Sequence, residues 1–396
     1  MIFSSLSNAF PEKINHLYSA RDVILARGEK ILDFISGNVN QYGIVYPEAI
    51  LNEVLQAAVP QARVYRPDSF GQSVTRQAIC DYYEAQAVRL RPEEILVTPG
   101  TSISYFYCIK LLANNGDEIL CPSPSYPLFE TIARLSDVQL TSYRLREANG
   151  WEIDLDYLES RFTSRTRAIV VISPHNPTGM VASEKQLGSL AEIAQRHQLP
   201  IIADEVFSEF LFEIQTLPRP ALTPAPLVFT LNGLSKMLAL PGMKLGWMAV
   251  SGDPTLVKKS MRALEMISDT FLPVNELVQF ITPEILKRGA EFLAHYKGWV
   301  RQCRDLALDA VSQCPNLKCV PPSGGFYLAA RILGAERDED DWVIDILDQC
   351  KVLVHPGYFY EIPPTHFVMT FVQESDSLRE GLARLCKLLD WNLKVK

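Results

Sequence analysis

The middle of the chain alternates short apolar runs with amphipathic helical patterns, and few architectures accept that rhythm. Ile95-Leu96-Val97-Thr98 reads as a strand and leads into an apolar-rich helix near 101–114. Glu118-Ile119-Leu120-Cys121 is a second strand, with a helix near 126–136, and Val138-Gln139-Leu140-Thr141 is a third. Ala168-Ile169-Val170-Val171-Ile172 is a fourth; its unbroken apolar run predicts burial on both faces. Ser183 stands three residues before Gln186 as a capping box, and Leu187, Leu190, Ile193 and Ala194 form one face of a helix over 183–197. Strands at 200–203, 227–231 and 246–250 complete the series. The alternation predicts an α/β fold built on a mainly parallel, seven-stranded sheet covered by helices. In such sheets ligands bind at the carboxyl ends of the strands, where the loops are.

From about 275 the texture changes. A helical stretch runs to about 313, with Thr282-Pro283 as a candidate start for a new helix inside it. An α+β pattern follows: strands at 326–330, 352–354 and 367–372, and helices near 340–350 and 376–390. The expected organisation is an N-terminal arm over 1–46 that joins a small α+β domain, a large domain over 47–274, and the rest of the small domain over 275–396. No internal repeat or low-complexity segment is visible.

The 396 residues, 47% of them hydrophobic, suffice for a large core, and the net charge of −8 gives no electrostatic reason to expect nucleic acid or an anionic membrane as partner. The eight cysteines are scattered and include no C-x-x-C pair, which fits reduced thiols in the cytoplasm. The six histidines do not cluster with them, so no metal site is expected. Met1-Ile2-Phe3-Ser4-Ser5 lacks a charged region leading into an apolar one, and no apolar run approaches the roughly 18 residues that span a bilayer.

The motifs of common nucleotide and hydrolase sites are absent: no G-x-G-x-x-G, no G-x-x-x-x-G-K-[ST], no G-x-S-x-G and no H-E-x-x-H. Other segments carry the chemistry. Pro99-Gly100-Thr101-Ser102 joins a strand to a helix, where backbone N–H groups and two hydroxyls suit a phosphate, or simply cap the helix. Ser173-Pro174-His175-Asn176-Pro177-Thr178-Gly179 is either a rigid turn or a device that aims Asn176 at a ligand oxygen. Asp204, in Ala203-Asp204-Glu205-Val206-Phe207, caps a turn or meets a cation. Tyr126 offers a face for a flat ring. Ser235-Lys236, with a second cation at Lys244 and glycines around it, could hold an amine near a phosphate.

In this order and combination the segments resemble the class I/II aminotransferases of pyridoxal phosphate (PLP) fold type I. The resemblance spans nearly the whole chain and rests on Asn176-Pro177-Thr178-Gly179, Asp204-Glu205-Val206-Phe207 and Ser235-Lys236 with Lys244-Leu245-Gly246. It implies that Lys236 forms a Schiff base with PLP and later acts as general base. It also implies that Asp204 pairs with the pyridine nitrogen, Asn176 bonds the ring oxygen and Tyr126 stacks on the ring. Thr101, Ser102, Ser235 and Lys244 would hold the phosphate. Tyr65 resembles the tyrosine that members lend to a neighbouring subunit's phosphate, which implies a homodimer with shared sites. Gly37 and Asn38 resemble the loop that closes over substrate, with Asn176 also facing it. The implied reaction is ping-pong amino transfer between an amino acid and a 2-oxo acid.

Three departures stand out. Lys244 replaces the family's usual arginine, a point charge in place of a planar fork. Phe207 replaces a tyrosine that bonds the ring oxygen, and losing that donor should raise the pKa of the Schiff base. Met369 stands where the family carries the arginine that pairs with the substrate α-carboxylate. Asn38 with the 37–38 backbone, Arg331 and Arg379 are the candidate replacements. The missing fork keeps a C–S lyase or cyclase on the same cofactor open as an alternative, with a non-catalytic ligand-binding relative as a more distant one.

Overall fold

The computed structural model describes residues 15–394 apart from 335, 336 and 363, together with Ile2 and Leu6. Most of the Met1–Ser5 segment therefore lies outside the described residues. In chain order the strands are β1 (Leu32–Asp33), β2 (Ile95–Thr98), β3 (Glu118–Ser123), β4 (Gln139–Arg146), β5 (Glu152–Ile153), β6 (Thr166–Ile172) and β7 (Ile201–Asp204). They continue as β8 (Leu227–Gly233), β9 (Gly246–Gly252), β10 (Leu317–Cys319), β11 (Tyr327–Ile332), β12 (Val352–Leu353), β13 (His355–Pro356) and β14 (His366–Thr370).

The central sheet has the order β2-β9-β8-β7-β6-β3-β4-β5. Strands β4, β3, β6, β7 and β8 run parallel, and β9 is antiparallel to both of its neighbours. The seven expected strands are all present; the two-residue β5 adds an eighth, antiparallel to β4, where Gly150 turns the chain back. Strand β6 is buried along nearly all its length, as its apolar run requires. Strand order reverses between β3 and β6, so the carboxyl ends there part to leave a crevice. The Ser183–Gln186 capping box forms in both directions, and the helix Glu184–His197 buries Leu187, Leu190, Ile193 and Ala194.

A second, antiparallel sheet has the order β10-β11-β14-β13. Strand β1 pairs in parallel with β12, which brings the N-terminal region beside the C-terminal one. Two local expectations are corrected. Pro283 does not start a helix; Glu276–Arg288 runs through it. A proline there denies the Gln279 carbonyl its usual donor, and the Thr75 hydroxyl supplies one from the helix alongside, at 2.7 Å. The break falls instead at Gly289, between that helix and Ala290–Ser312. The helix expected near 340–350 is α-helical only over Glu339–Asp345 and continues as a π turn, Ile346–Cys350.

Candidate active site

The carboxyl ends of β2, β3, β6, β7 and β8 converge on two adjoining cavities of about 220 and 460 Å³. Lys236, Ser235, Tyr126 and Tyr327 line both.

Lys236 is placed by the end of β8. The strand stops at Gly233, and one helical turn, Leu234–Met237, carries the lysine over the sheet edge. Asn232 fixes that end: its Oδ1 accepts from Gly233 N–H at 2.8 Å and its Nδ2 donates to Ser208 at 3.0 Å. Lys236 Nζ makes no hydrogen bond or ion pair among the described residues. It sits 5.8 Å from the Phe207 ring centre and 6.0 Å from that of Phe326. Burial holds its pKa below the ordinary lysine value, which favours the neutral, nucleophilic amine.

Asp204 closes β7 on the wall of the smaller cavity. Its Oδ2 accepts from the Tyr105 hydroxyl at 2.9 Å and its Oδ1 from the Val206 N–H at 3.0 Å. Burial outweighs both donors and lifts its pKa from 3.8 to about 6. No cation pairs with it among the described residues, so the site suits a ligand that brings one.

Asn176 follows β6 in a clamped turn. His175 Nδ1 lies 2.9 Å from Thr178 Oγ1, and the Gly179 N–H donates to the His175 carbonyl at 2.8 Å. Burial pushes the His175 pKa down to about 3, so the ring is a neutral strut. Asn176 Oδ1 is buried without a partner, on the wall of the smaller cavity.

Thr101 and Ser102 open the helix Thr101–Leu112 on the same wall, after Gly100 at φ +143°. A side chain on Gly246 would come within 3.0 Å of Gly100, so only glycine lets β9 press this turn into place. Phe207 packs edge-on to Phe326 and Tyr327. On the second cavity, Gly37 is close enough to Tyr327 that an added Cβ would lie 2.7 Å from its hydroxyl and 3.8 Å from Lys236 Nζ. Asn38 lines the same cavity.

Five residues singled out in the sequence stand apart from both cavities. Lys244 is exposed, in left-handed backbone at φ +50°, and lines neither cavity. Tyr65 is 74% exposed and also outside both. Met369 is buried in the core, opposite Leu328 of β11, and faces neither cavity. Arg331 is paired with Glu147 at 3.6 Å and Arg379 with Asp376 at 3.6 Å, both away from the site. Of the candidate replacements for the missing arginine, only the Asn38 segment borders the cavities. The sequence reading passed over Tyr105, Tyr327, His355 and Tyr360. Tyr105 had a signal, four residues after Thr101 on one helix face; the other three come together only through the fold.

The comparisons agree with this geometry. The family description "Aminotransferase class I and II" matches residues 30–385. The chain belongs to that family. Among curated relatives, the glutamate-pyruvate aminotransferase AlaA of Escherichia coli K12 is 33% identical over 372 residues, covering 91% of each chain. The alanine aminotransferase of Mycobacterium tuberculosis H37Rv is 31% identical over 383 residues, 94% of this chain and 88% of that one. The crystal structure of an aminotransferase from Escherichia coli superposes with a TM-score of 0.88 at 30% identity, covering 98% of both chains.

The protein is thus an enzyme of the aminotransferase class, and its cofactor is PLP. The residues present fit that group. A buried carboxylate without a cation, a buried amide oxygen without a partner and an unpaired amine of lowered pKa meet in one cavity beside a helix start. Those are complements to a protonatable ring nitrogen, a ring substituent, an aldehyde and a phosphate. Its substrates are an amino acid and a 2-oxo acid, and among the described residues no helix is long and apolar enough to cross a membrane.

Proposed function

We propose that Lys236 is the residue that holds the cofactor and moves the proton in this amino transfer. The observation that carries the reading is its buried, unpaired amine, its pKa lowered by burial, on the shared wall of both cavities. When bound, PLP supplies an aldehyde for the substrate amine and a ring that accepts the electron pair left at Cα. The Lys236 amine would act as general base at the substrate Cα. Asp204 would pair with the ring nitrogen and hold its proton, and Asn176 would hydrogen-bond the ring oxygen. Thr101, Ser102 and Ser235 hold the phosphate with the N–H groups of the helix start, and Lys244 supplies longer-range positive charge. Tyr126 covers the ring face, while Gly37 and Asn38 close the substrate side.

The same proposal includes a homodimer. Tyr65 and Val64 are exposed beside Phe271 and Leu272, and the Ser69–Asp269 and Arg66–Glu276 hydrogen bonds tie the two segments together. An exposed apolar face of this kind suits a second copy of the chain, to which Tyr65 would be lent. It includes the division into an arm (1–46), a PLP-binding domain (47–274) and a small domain (275–396), and a cytoplasmic location. The names of the curated relatives make glutamate, alanine and pyruvate the first substrates to try.

Absorbance of the PLP-loaded protein tests the reading. An amino acid alone should convert the bound aldehyde form to the amine form, and a 2-oxo acid should restore it. Steady release of ammonia without any acceptor would instead identify a lyase and overturn the assignment.

A further inference from the structure

Asp204 accepts two hydrogen bonds, and one comes from a side chain to which the function above gives no part. The Tyr105 hydroxyl donates to Oδ2 at 2.9 Å, and the Val206 N–H donates to Oδ1 at 3.0 Å. Among the described residues this is the only hydrogen bond of the Tyr105 phenol. Tyr105 is 4% exposed and Asp204 9% within one chain, so a second copy of the chain would leave the contact as it is. Burial, and then the Asp204 carboxylate, hold the phenol pKa well above its ordinary value, so it keeps its proton and donates. Cys121 and Cys108, the other titratable groups that act on Tyr105, are kept as neutral thiols by burial. Lys236 lines the same cavity but forms no ion pair with Asp204.

The fold holds both partners in place. Tyr105 stands one turn after Thr101 on the helix Thr101–Leu112, so the helix that starts at the phosphate end of the cavity also reaches the carboxylate. The Phe129 ring meets Tyr105 edge-on, with 4.7 Å between ring centres. Asp204 is fixed in β7 between Ile172 of β6 and Leu231 of β8. Each carboxylate oxygen thus has one donor and keeps a lone pair for a ligand.

A donor to a carboxylate stabilises its charged form and lowers its affinity for a proton. Asp204 depends on that help, because burial lifts its pKa to about 6 even with both donors present. Beside a ring nitrogen, Asp204 competes for the one proton between them. Each donor to the carboxylate biases that proton toward the ring, and a ring that keeps it accepts electrons better.

We propose that Tyr105 is a positioning residue for the transfer reaction: its hydroxyl keeps Asp204 charged, so that the proton between Asp204 and the cofactor's ring nitrogen stays on the ring. This rests on the pairing of Asp204 with that nitrogen and adds the group that sets its strength.

Tyr105→Phe removes one hydroxyl and leaves the ring against Phe129. In PLP-free protein the variant should lose stability relative to wild type progressively from pH 5 to pH 8, because the lost bond matters most once Asp204 is charged. Differential scanning calorimetry reads that difference without any cofactor. In protein loaded with PLP labelled at the ring nitrogen, solid-state 15N NMR at pH 7.5 should report a protonated ring in wild type. The signal should move toward the unprotonated value in Tyr105→Phe, and kcat should fall about 10-fold. A stability difference that stays flat or shrinks as pH rises, a nitrogen signal that Tyr105→Phe does not move, or an unchanged kcat overturns the inference. Asp204→Asn separates the two levels. If it leaves the nitrogen signal unmoved, the Asp204 pairing fails and this inference with it; if it moves the signal and Tyr105→Phe does not, only this inference fails.

Discussion

Asp204→Asn should stabilise the cofactor-free protein while weakening its hold on PLP. The carboxyl pKa is raised from 3.8 to about 6, although Tyr105 and Val206 both donate to it. That displacement corresponds to at most about 3 kcal/mol of folding free energy. The sign follows from proton counts. Between these two values the folded state binds more protons than the unfolded state, so stability falls as pH rises through that window and stays lower above it. Asparagine keeps an acceptor for the Val206 N–H, and its amide can donate to the Tyr105 oxygen, so the substitution removes mainly the buried charge. Cofactor-free wild type and Asp204→Asn should therefore differ little in thermal midpoint at pH 4, and the variant should be the more stable at pH 8. In the loaded protein the order reverses, because the carboxylate then faces a protonated ring nitrogen; losing that bond should raise the Kd for PLP by about 10- to 100-fold. Differential scanning calorimetry with and without PLP at both pH values gives all four comparisons. A cofactor-free variant less stable than wild type at pH 8, or a difference that does not change with pH, would refute the reasoning.

Lys236→Ala should abolish transfer, with kcat below detection in a coupled 2-oxo acid assay, while the protein still binds PLP without the absorbance of the lysine-held cofactor. Met369→Arg should not raise kcat/KM for any common amino acid and should destabilise the fold by about 3 kcal/mol or more, since it buries an unpaired guanidinium in the core beside Leu328; thermal denaturation and a donor panel check both halves. Gly37→Ala places a methyl group 2.7 Å from the Tyr327 hydroxyl, so the donor KM should rise about 10-fold with little change in PLP affinity. Gel filtration with light scattering should show a dimer that Tyr65→Asp or Phe271→Asp weakens, each placing a charge on an exposed apolar face.

Much of the fold was legible because the parallel strands carry their own signal. The run at 168–172 must be buried on both faces, and β6 is. The capping box at Ser183 is a contact between near neighbours, so sequence spacing alone locates it. Pro283 misled for the opposite reason. The local rule is that proline ends a helix, and what overrides it is a hydroxyl on Thr75, about two hundred residues away in sequence and visible only after folding. The π turn at Ile346–Cys350 and the short β5 likewise leave no periodicity of their own.

The candidate site divides along the same physical line. Its cofactor half sits at strand ends: Asp204 on β7, Asn176 after β6, Thr101 after β2 and Lys236 after β8. Each lies in a short motif whose spacing the strand–turn–helix geometry dictates, so the residues can be read before their partners are known. The larger cavity draws on Gly37 and Asn38, Tyr327 on β11, His355 on β13 and Tyr360 beyond it, residues that come from distant parts of the chain. From the sequence, Met369 looked like a lost anchor, with Asn38 and the 37–38 backbone, Arg331 and Arg379 as candidate replacements. The fold places this position opposite Leu328 in a closed core, while the larger cavity is lined by the polar side chains of Asn38, Asn40, Ser235, Lys236 and His355 and by four tyrosines. A guanidinium fork selects by charge, whereas a set of neutral donors and acceptors selects by hydrogen-bond pattern.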